Sequence, residues 1–435
     1  MKRWLLVALL FTSLVPWAQD SFTFLGNRKS VSIPFRLINN LIIVPVTVNG
    51  TQLDFLLDTG VEENILFSLE EKELPLFNVE KIELRGLGSE ESVEGLKSVG
   101  NMIGMKGMKS TNQILYVVLD EQFDFSASLG VPVNGIIGYR FFRDHPVTID
   151  YARKRLRVYN RARTDMSKVL RDFVAFDLTI EKSKPYLKVD VSIDSIPRSS
   201  KLLIDTGNSD AVWLFPSRDK KITVPDKRLR DFLGRGFSGE IYGDKARISQ
   251  LQLQTFSFKR PIVAFPDTTS VRHVRMVDQR VGSIGGEILK RFTVCFDYQQ
   301  QKLYLKRNGS FSEPFTYNMS GITLHHAGHQ IVQERANSTG NRVDLSFGEK
   351  EVQVSYRFSL KPIYVVVSVR EDSPAEKAGI RKGDLLKRVN GRDSYQYSLQ
   401  ELNLLLKSEE GRHVEVEVER DEKILDFRFD LEELL

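Results

Sequence analysis

The chain has 435 residues, 41% of them hydrophobic, and its basic residues exceed its acidic ones by only five. That composition excludes a disordered or fibrous chain and leaves room for about two to four domains. Removing Lys2 and Arg3 with a leader leaves 60 basic against 57 acidic residues and no dense basic run, which argues against nucleic acid as a partner.

The first element is that leader. Met1-Lys2-Arg3 is a basic start, Trp4 to Val15 is mostly apolar, and Pro16-Trp17-Ala18-Gln19 has the character of a cleavage region. A signal peptide is expected over residues 1–19. Its apolar run is too short to span a bilayer comfortably, and no later run reaches its length. The mature protein is expected to be exported, periplasmic or secreted, without a stable membrane anchor. The single cysteine, Cys295, excludes an intramolecular disulfide and reads as a small core residue in the apolar run 292–296.

Leu41 to Val48 is a β-branched run ending at Asn49-Gly50, a hairpin signal, and the next strand delivers Asp58-Thr59-Gly60. Leu202-Leu203-Ile204-Asp205-Thr206-Gly207 repeats Phe55 to Gly60 after 147 residues. Gly135-Ile136-Ile137-Gly138 and Gly282-Ser283-Ile284-Gly285 keep that offset, as do Val147 to Tyr151 and Val294 to Tyr298. Three landmarks in one register mean a duplicated folding unit. The second strand pair has a hairpin read as two residues longer. Each copy also has a glycine-punctuated hairpin between its aspartate and its second landmark, through Gly86-Leu87-Gly88 in the first and Gly234 to Gly243 in the second. Each closes on a short helical piece and two strands, and the charged stretch 161–172 links the copies. Helical periodicity is scarce, so the copies are mainly β.

Beyond Lys306 the character changes. Ser373-Pro374-Ala375-Glu376-Lys377-Ala378-Gly379 is a short helix with its cap, first-position proline and terminating glycine, and Glu376 is expected to complete a capping box. Leu399, Leu402, Leu405 and Leu406 share a helical face. Strands are expected at 364–369, 385–389 and 414–418, which makes an α+β domain. The expected organisation is a first lobe over 20–171, a second over 172–312 and the α+β domain over 313–435.

Two aspartates brought face to face cannot both ionise near neutral pH, since each charge raises the other's pKa. One holds a proton while the other acts as base toward a water between them, a pair suited to attack on an amide carbonyl. The pair titrates as a unit. On the repeated aspartate turns and the glycine landmarks, residues 33–306 resemble the pepsin/retropepsin clan of aspartic proteases. The resemblance implies two pseudo-symmetric β lobes around a substrate cleft, with Asp58 and Asp205 catalytic. It implies Thr59 and Thr206 as interlocking hydroxyls, supported by Gly60, Gly207, Gly138 and Gly285, and the first hairpin as a flap carrying Gly86, Leu87 and Gly88. Fusion of both lobes in one chain makes a monomer sufficient. Val61 and Asn208 stand where pepsins usually have Ser or Thr, and the first hairpin lacks their tyrosine.

Residues 373–380, Gly383-Asp384-Leu385-Leu386 and Val389-Asn390-Gly391 resemble a PDZ domain. The resemblance implies a carboxylate-binding loop at Met319-Ser320-Gly321-Ile322 and a groove strand over Thr323 to His329. A peptide C-terminus would then dock on Ser320, Gly321 and Ile322 beside Leu399. Residues 330–362 are an insertion. Such a two-lobed protease with a PDZ domain resembles a bacterial exported type. No metal or cofactor is expected, since adjacent strand residues such as His325 and His326 point to opposite faces. The functional expectation is an aspartic endopeptidase acting on peptides or proteins. The alternative is a catalytically silent scaffold that binds peptide through the PDZ groove.

Overall fold

The computed structural model describes residues 21–69, 72–84, 92–119, 125–236, 239–271, 277–336 and 355–435. The duplication is visible in the strand registers. Leu41–Val48 turns through Asn49 and Gly50, both at positive φ, and pairs antiparallel with Thr51–Leu57. On its other side Thr51–Leu57 lies parallel to Gly135–Ile137, with Phe55 opposite Gly135 and Leu57 opposite Ile137. In the second lobe Arg198–Ile204 pairs with Lys184–Ser192 and runs parallel to Arg280–Ile284, with Leu202 opposite Gly282 and Ile204 opposite Ile284. The second hairpin differs from expectation. Six residues separate the paired Val191 and Arg198, against two between Val48 and Thr51, so it is longer by four residues and not two.

A six-stranded sheet joins the lobes, in the order Val174–Asp177, Lys302–Arg307, Phe292–Asp297, Val147–Asp150, Arg155–Tyr159, Ser30–Pro34. Its two middle strands pair antiparallel, Val147 with Phe296 and Ile149 with Val294, which places Thr148 opposite Cys295 on the pseudo-twofold axis. Cys295 is fully buried there, and burial pushes its thiol up to about 12, so it is an inert core group. Most buried apolar residues of this sheet and of both lobes form one continuous core, with a smaller separate cluster in each lobe.

The C-terminal α+β domain packs on the second lobe. Leu229 and Ile262 of that lobe are buried in the domain's own core with Tyr317, Met319 and Leu435, and Arg247 pairs with Glu433 at 2.6 Å. The connection is fixed by Arg291, fully buried, which donates to the carbonyls of Phe311, Glu313 and Pro314 and stacks on Phe315. The insertion expected at 330–362 begins as continued pairing: Ile322–Ala336 and Ser355–Val369 form one long antiparallel ribbon. Helices Pro374–Ala378 and Leu399–Leu405 start at Ser373 and Ser398 as expected. Glu376, however, accepts from the Asp372 N–H at 2.7 Å and not from Ser373, because Asp372 is turned into the left-handed region. The full capping box is at Ser398 and Glu401.

Candidate active site

Each aspartate is delivered at the end of a central strand. Asp58 N–H donates to the Ile137 carbonyl at 3.0 Å and Asp205 N–H to that of Ile284 at 2.9 Å, so both are locked to the neighbouring parallel strand. Each carboxylate then accepts from its own turn, Asp58 Oδ1 from Gly60 N–H at 2.6 Å and Asp205 Oδ1 from Gly207 N–H at 3.1 Å.

The threonines lie across the lobe boundary. Thr59 N–H donates to Thr206 Oγ1 and Thr206 N–H to Thr59 Oγ1, both at 3.0 Å. Each hydroxyl in turn donates across to a carbonyl, Thr59 to Ile204 at 2.6 Å and Thr206 to Leu57 at 2.8 Å. Four buried bonds related by the pseudo-twofold hold the turns face to face. A methyl at Gly60 would lie 3.0 Å from Asp58 Oδ1 and 3.1 Å from Asp205 Oδ1, so the two acids meet over one backbone position. At Gly207 a methyl would lie 2.2 Å from Asp58 Oδ2. Gly138 and Gly285 close the surrounding loops against the carbonyls of Val61 and Asp210, with no room for a side chain.

The two carboxyls share a hydrogen bond but do not ionise alike. Burial, then the charge of Asp205, pushes Asp58 up to about 8. Burial also raises Asp205, but Arg280, the Gly207 N–H and Lys184 pull it back down. Of the two, Asp58 is the one pushed further toward its protonated form, and the pair titrates as a unit.

Lys184 and Arg280 were not read from the sequence. Arg280 stands 147 residues after Val133, so a comparison of the halves outside the motifs would have exposed it. Lys184 was hidden by the extra hairpin residues, which break the constant offset before Asp205. Asn208 does not support its aspartate: its side chain donates to Ser283 Oγ at 3.2 Å and accepts from Asp210 N–H at 2.9 Å.

Gly86, Leu87 and Gly88 lie outside the described residues, although the strands carrying them, Glu80–Leu84 and Val93–Met105, form the expected hairpin. Its counterpart, Arg228–Gly236 with Gly239–Arg247, turns toward the C-terminal domain, burying Leu229 and bringing Asp231 within 3.8 Å of Arg370.

In the C-terminal domain Ser320 and Leu399 are buried. Three backbone donors of the loop are bonded within it: Ser320 and Gly321 N–H to Asn318 Oδ1 at 3.0 and 3.1 Å, and Ile322 N–H to Ser320 Oγ at 3.1 Å. Helix Phe125–Leu129 of the first lobe packs against the strand Ile322–Ala336, and Gly130 sits against Leu399. His326 and His329 flank a bulge in that strand with ring centres 4.7 Å apart. Among the described residues no three His, Cys, Asp or Glu side chains are grouped to hold a metal ion.

Residues 44–141 match the family model described as aspartyl protease, and residues 365–420 match that of the PDZ domain. A solved structure of the aspartic proteinase from Irpex lacteus is similar at 13% identity, over 65% of this chain and 99% of that one, with a TM-score of 0.41. No curated protein matches the chain. The chain thus carries a retropepsin-like aspartyl protease domain followed by a PDZ domain, on a mainly β fold. The family match ends within the first lobe; the second lobe's part in the site follows from the geometry above.

Proposed function

We propose that the protein is an aspartic endopeptidase that hydrolyses peptide bonds at the Asp58–Asp205 pair. The observation that supports this reading is the convergence of two half-buried, hydrogen-bonded carboxyls over Gly60, both raised and Asp58 the further. Asp205, ionised, takes a proton from a water as that water attacks the amide carbonyl. Asp58 gives its proton to the carbonyl oxygen, stabilising the tetrahedral gem-diol; collapse then returns a proton to the leaving amine. The cross-lobe threonine bonds keep the two oxygens at a fixed separation, so little reorganisation accompanies the step.

Cleavage of a mixed peptide library by the parent protein tests the reading, with Asp58→Asn and Asp205→Asn expected to abolish it while their melting transitions remain. Unaltered cleavage by either variant refutes it. Tight peptide binding with no cleavage across pH 3 to 8 supports the silent scaffold instead.

For the PDZ domain, recruitment of a peptide C-terminus requires the carboxylate to displace Asn318 and Ser320 from the loop's N–H groups. This favours a second reading in which the domain braces the second lobe. A C-terminal peptide library bound to Asp205→Asn protein separates the two, since the brace predicts no binding that depends on a free carboxylate. Export is part of the proposal and rests on residues 1–19. N-terminal sequencing of the protein recovered after expression in its source tests it, a retained Met1 being the adverse result.

A further inference from the structure

Because the strands that carry the two aspartates keep the same neighbours in the same register, residues beside Asp58 have counterparts beside Asp205. Leu41, Ile43, Leu56, Val133 and Ile136 form one buried apolar cluster in the first lobe. Alternation along the strand puts Leu56 on the face that carries Asp58. The counterparts follow from register. Ile43 pairs with Leu56 as Tyr186 pairs with Leu203, and Ile136 pairs with Leu56 as Ser283 pairs with Leu203. Both preceding hairpins turn through two residues at positive φ, Asn39 and Asn40 in one lobe, Lys182 and Ser183 in the other. The next residue is Leu41 in the first and Lys184 in the second. Val133 and Arg280 each precede the closing glycine, Gly138 or Gly285, by five residues.

The apolar set Leu41, Ile43, Val133 and Ile136 is therefore replaced in the second lobe by Lys184, Tyr186, Arg280 and Ser283. Packing alone does not call for this, since the first lobe fills the same place with hydrocarbon. Two cations in a half-buried site repel each other and lose hydration; burial and Arg280 push the Lys184 ammonium down. Arg280 is fixed by its Nε bond to the Gly282 carbonyl at 3.1 Å and by stacking on Phe215. The Lys184 hairpin is pinned across the cleft by Ser183 Oγ, which donates to Glu62 Oε1 at 2.9 Å. A cavity of about 320 Å³ beside Tyr186 is lined by Glu181, Lys201 and Asp278 and not by Lys184 or Arg280, and there Glu181 is paired with Lys201 at 2.6 Å. The working pair of aspartates carries one negative charge, and Glu62 is exposed and screened by solvent. Lys184 and Arg280 thus bring two positive charges to the aspartate pair, and the exposed Glu62 is the other carboxylate that acts on Lys184.

We propose that Lys184 and Arg280 form a subsite for a carboxylate, so that this protein cuts peptides with an apolar residue on the first-lobe side of the scissile bond and Asp or Glu on the second-lobe side. The inference rests on the endopeptidase reading and names its substrate class.

The test uses matched peptides that differ only by Glu or Gln at each position around the cut. A charge-assisted contact predicts a Glu preference of about tenfold or more in kcat/KM at one position adjoining the scissile bond. Lys184→Leu and Arg280→Val, which install the first-lobe residues, should bring that ratio toward one, mainly through KM, while Arg280→Lys keeps part of it. Should Arg280→Val not fold, Lys184→Leu carries the test. A parent ratio near one, or a ratio unchanged in the variants, overturns the proposal. If no peptide is cut, the endopeptidase reading fails separately. Calorimetric binding of the same peptides to Asp58→Asn protein then decides: tighter binding of the Glu peptide supports the subsite, and equal or absent binding overturns it.

Discussion

Asp58→Asn should change stability in a way that depends on pH with a defined sign. In the folded protein the Asp58 carboxyl holds its proton up to about pH 8, whereas its ordinary value is 3.8. Between those limits the native state keeps a proton that the unfolded chain has released, so stability falls as pH rises through the window. At about 1.4 kcal/mol per pKa unit the penalty has a ceiling of roughly 6 kcal/mol at pH 8. Asp58 is only half-buried, so we expect roughly 2–4 kcal/mol to be realised. Asparagine does not titrate, and the variant should gain on the parent by that amount between pH 4 and pH 8. Urea unfolding at pH 4, 6 and 8 measures the difference, read by Trp213, the only tryptophan beyond Trp17. Its indole donates to Asp210 on the loop that follows Asp205. A difference that is flat with pH, or larger at pH 4, refutes the proton assignment.

Thr59→Val removes the hydroxyl that serves Ile204 and Thr206 and leaves two buried backbone groups unpaired; a loss of about 2–4 kcal/mol in urea unfolding is expected, with Thr59→Ser nearly neutral. Gly207→Ala pushes a methyl into the Asp58 carboxyl and should lower kcat by about a hundredfold or more with the fold retained, whereas Gly60→Ala, whose methyl meets both acids at 3.0–3.1 Å, should cost less. A chain ended after Ser312 strips Arg291 of the Glu313 and Pro314 carbonyls and uncovers Leu229 and Ile262, so it should melt lower than one ended after Thr316, which keeps the Arg291 partners. Equal melting temperatures would show that the connection contributes nothing to the second lobe.

The aspartate pair was legible because the same short turn occurs twice, and a duplicated turn leaves a repeat that spacing alone reveals. The threonine lock and the four supporting glycines came with it, as parts of the same turn geometry. Lys184 was illegible for the opposite reason. It lies outside the repeated motifs, and the longer hairpin shifts the counterpart from an offset of 147 to 143, Leu41 to Lys184. The packing of the PDZ domain was equally hidden, since Leu229 and Ile262 are ordinary strand residues until another domain covers them. Asp372 shows a smaller limit. Capping-box spacing found the helix start, but a positive φ one residue earlier redirected the glutamate.

The two lobes also differ in how the C-terminal domain holds them. The second-lobe hairpin, counterpart of the one that carries Gly86 to Gly88, is tied to the PDZ domain. Lys245 bonds Asp231 at 3.0 Å within it, Arg370 lies 3.8 Å from that carboxylate, and Arg370 also donates to the Asn318 carbonyl at 3.0 Å. The charge of Asp210, on the Asp205 loop, also acts on Lys245. A chain of charges thus runs from the PDZ loop to the turn that holds Asp205. Among the described residues the lobe of Asp58 meets the PDZ domain through helix Phe125–Leu129 and Gly130. Perturbing the PDZ loop should therefore reach Asp205 and the cationic side of the cleft before it reaches the apolar side, because charges in a low-dielectric interior couple over distances at which apolar contacts do not.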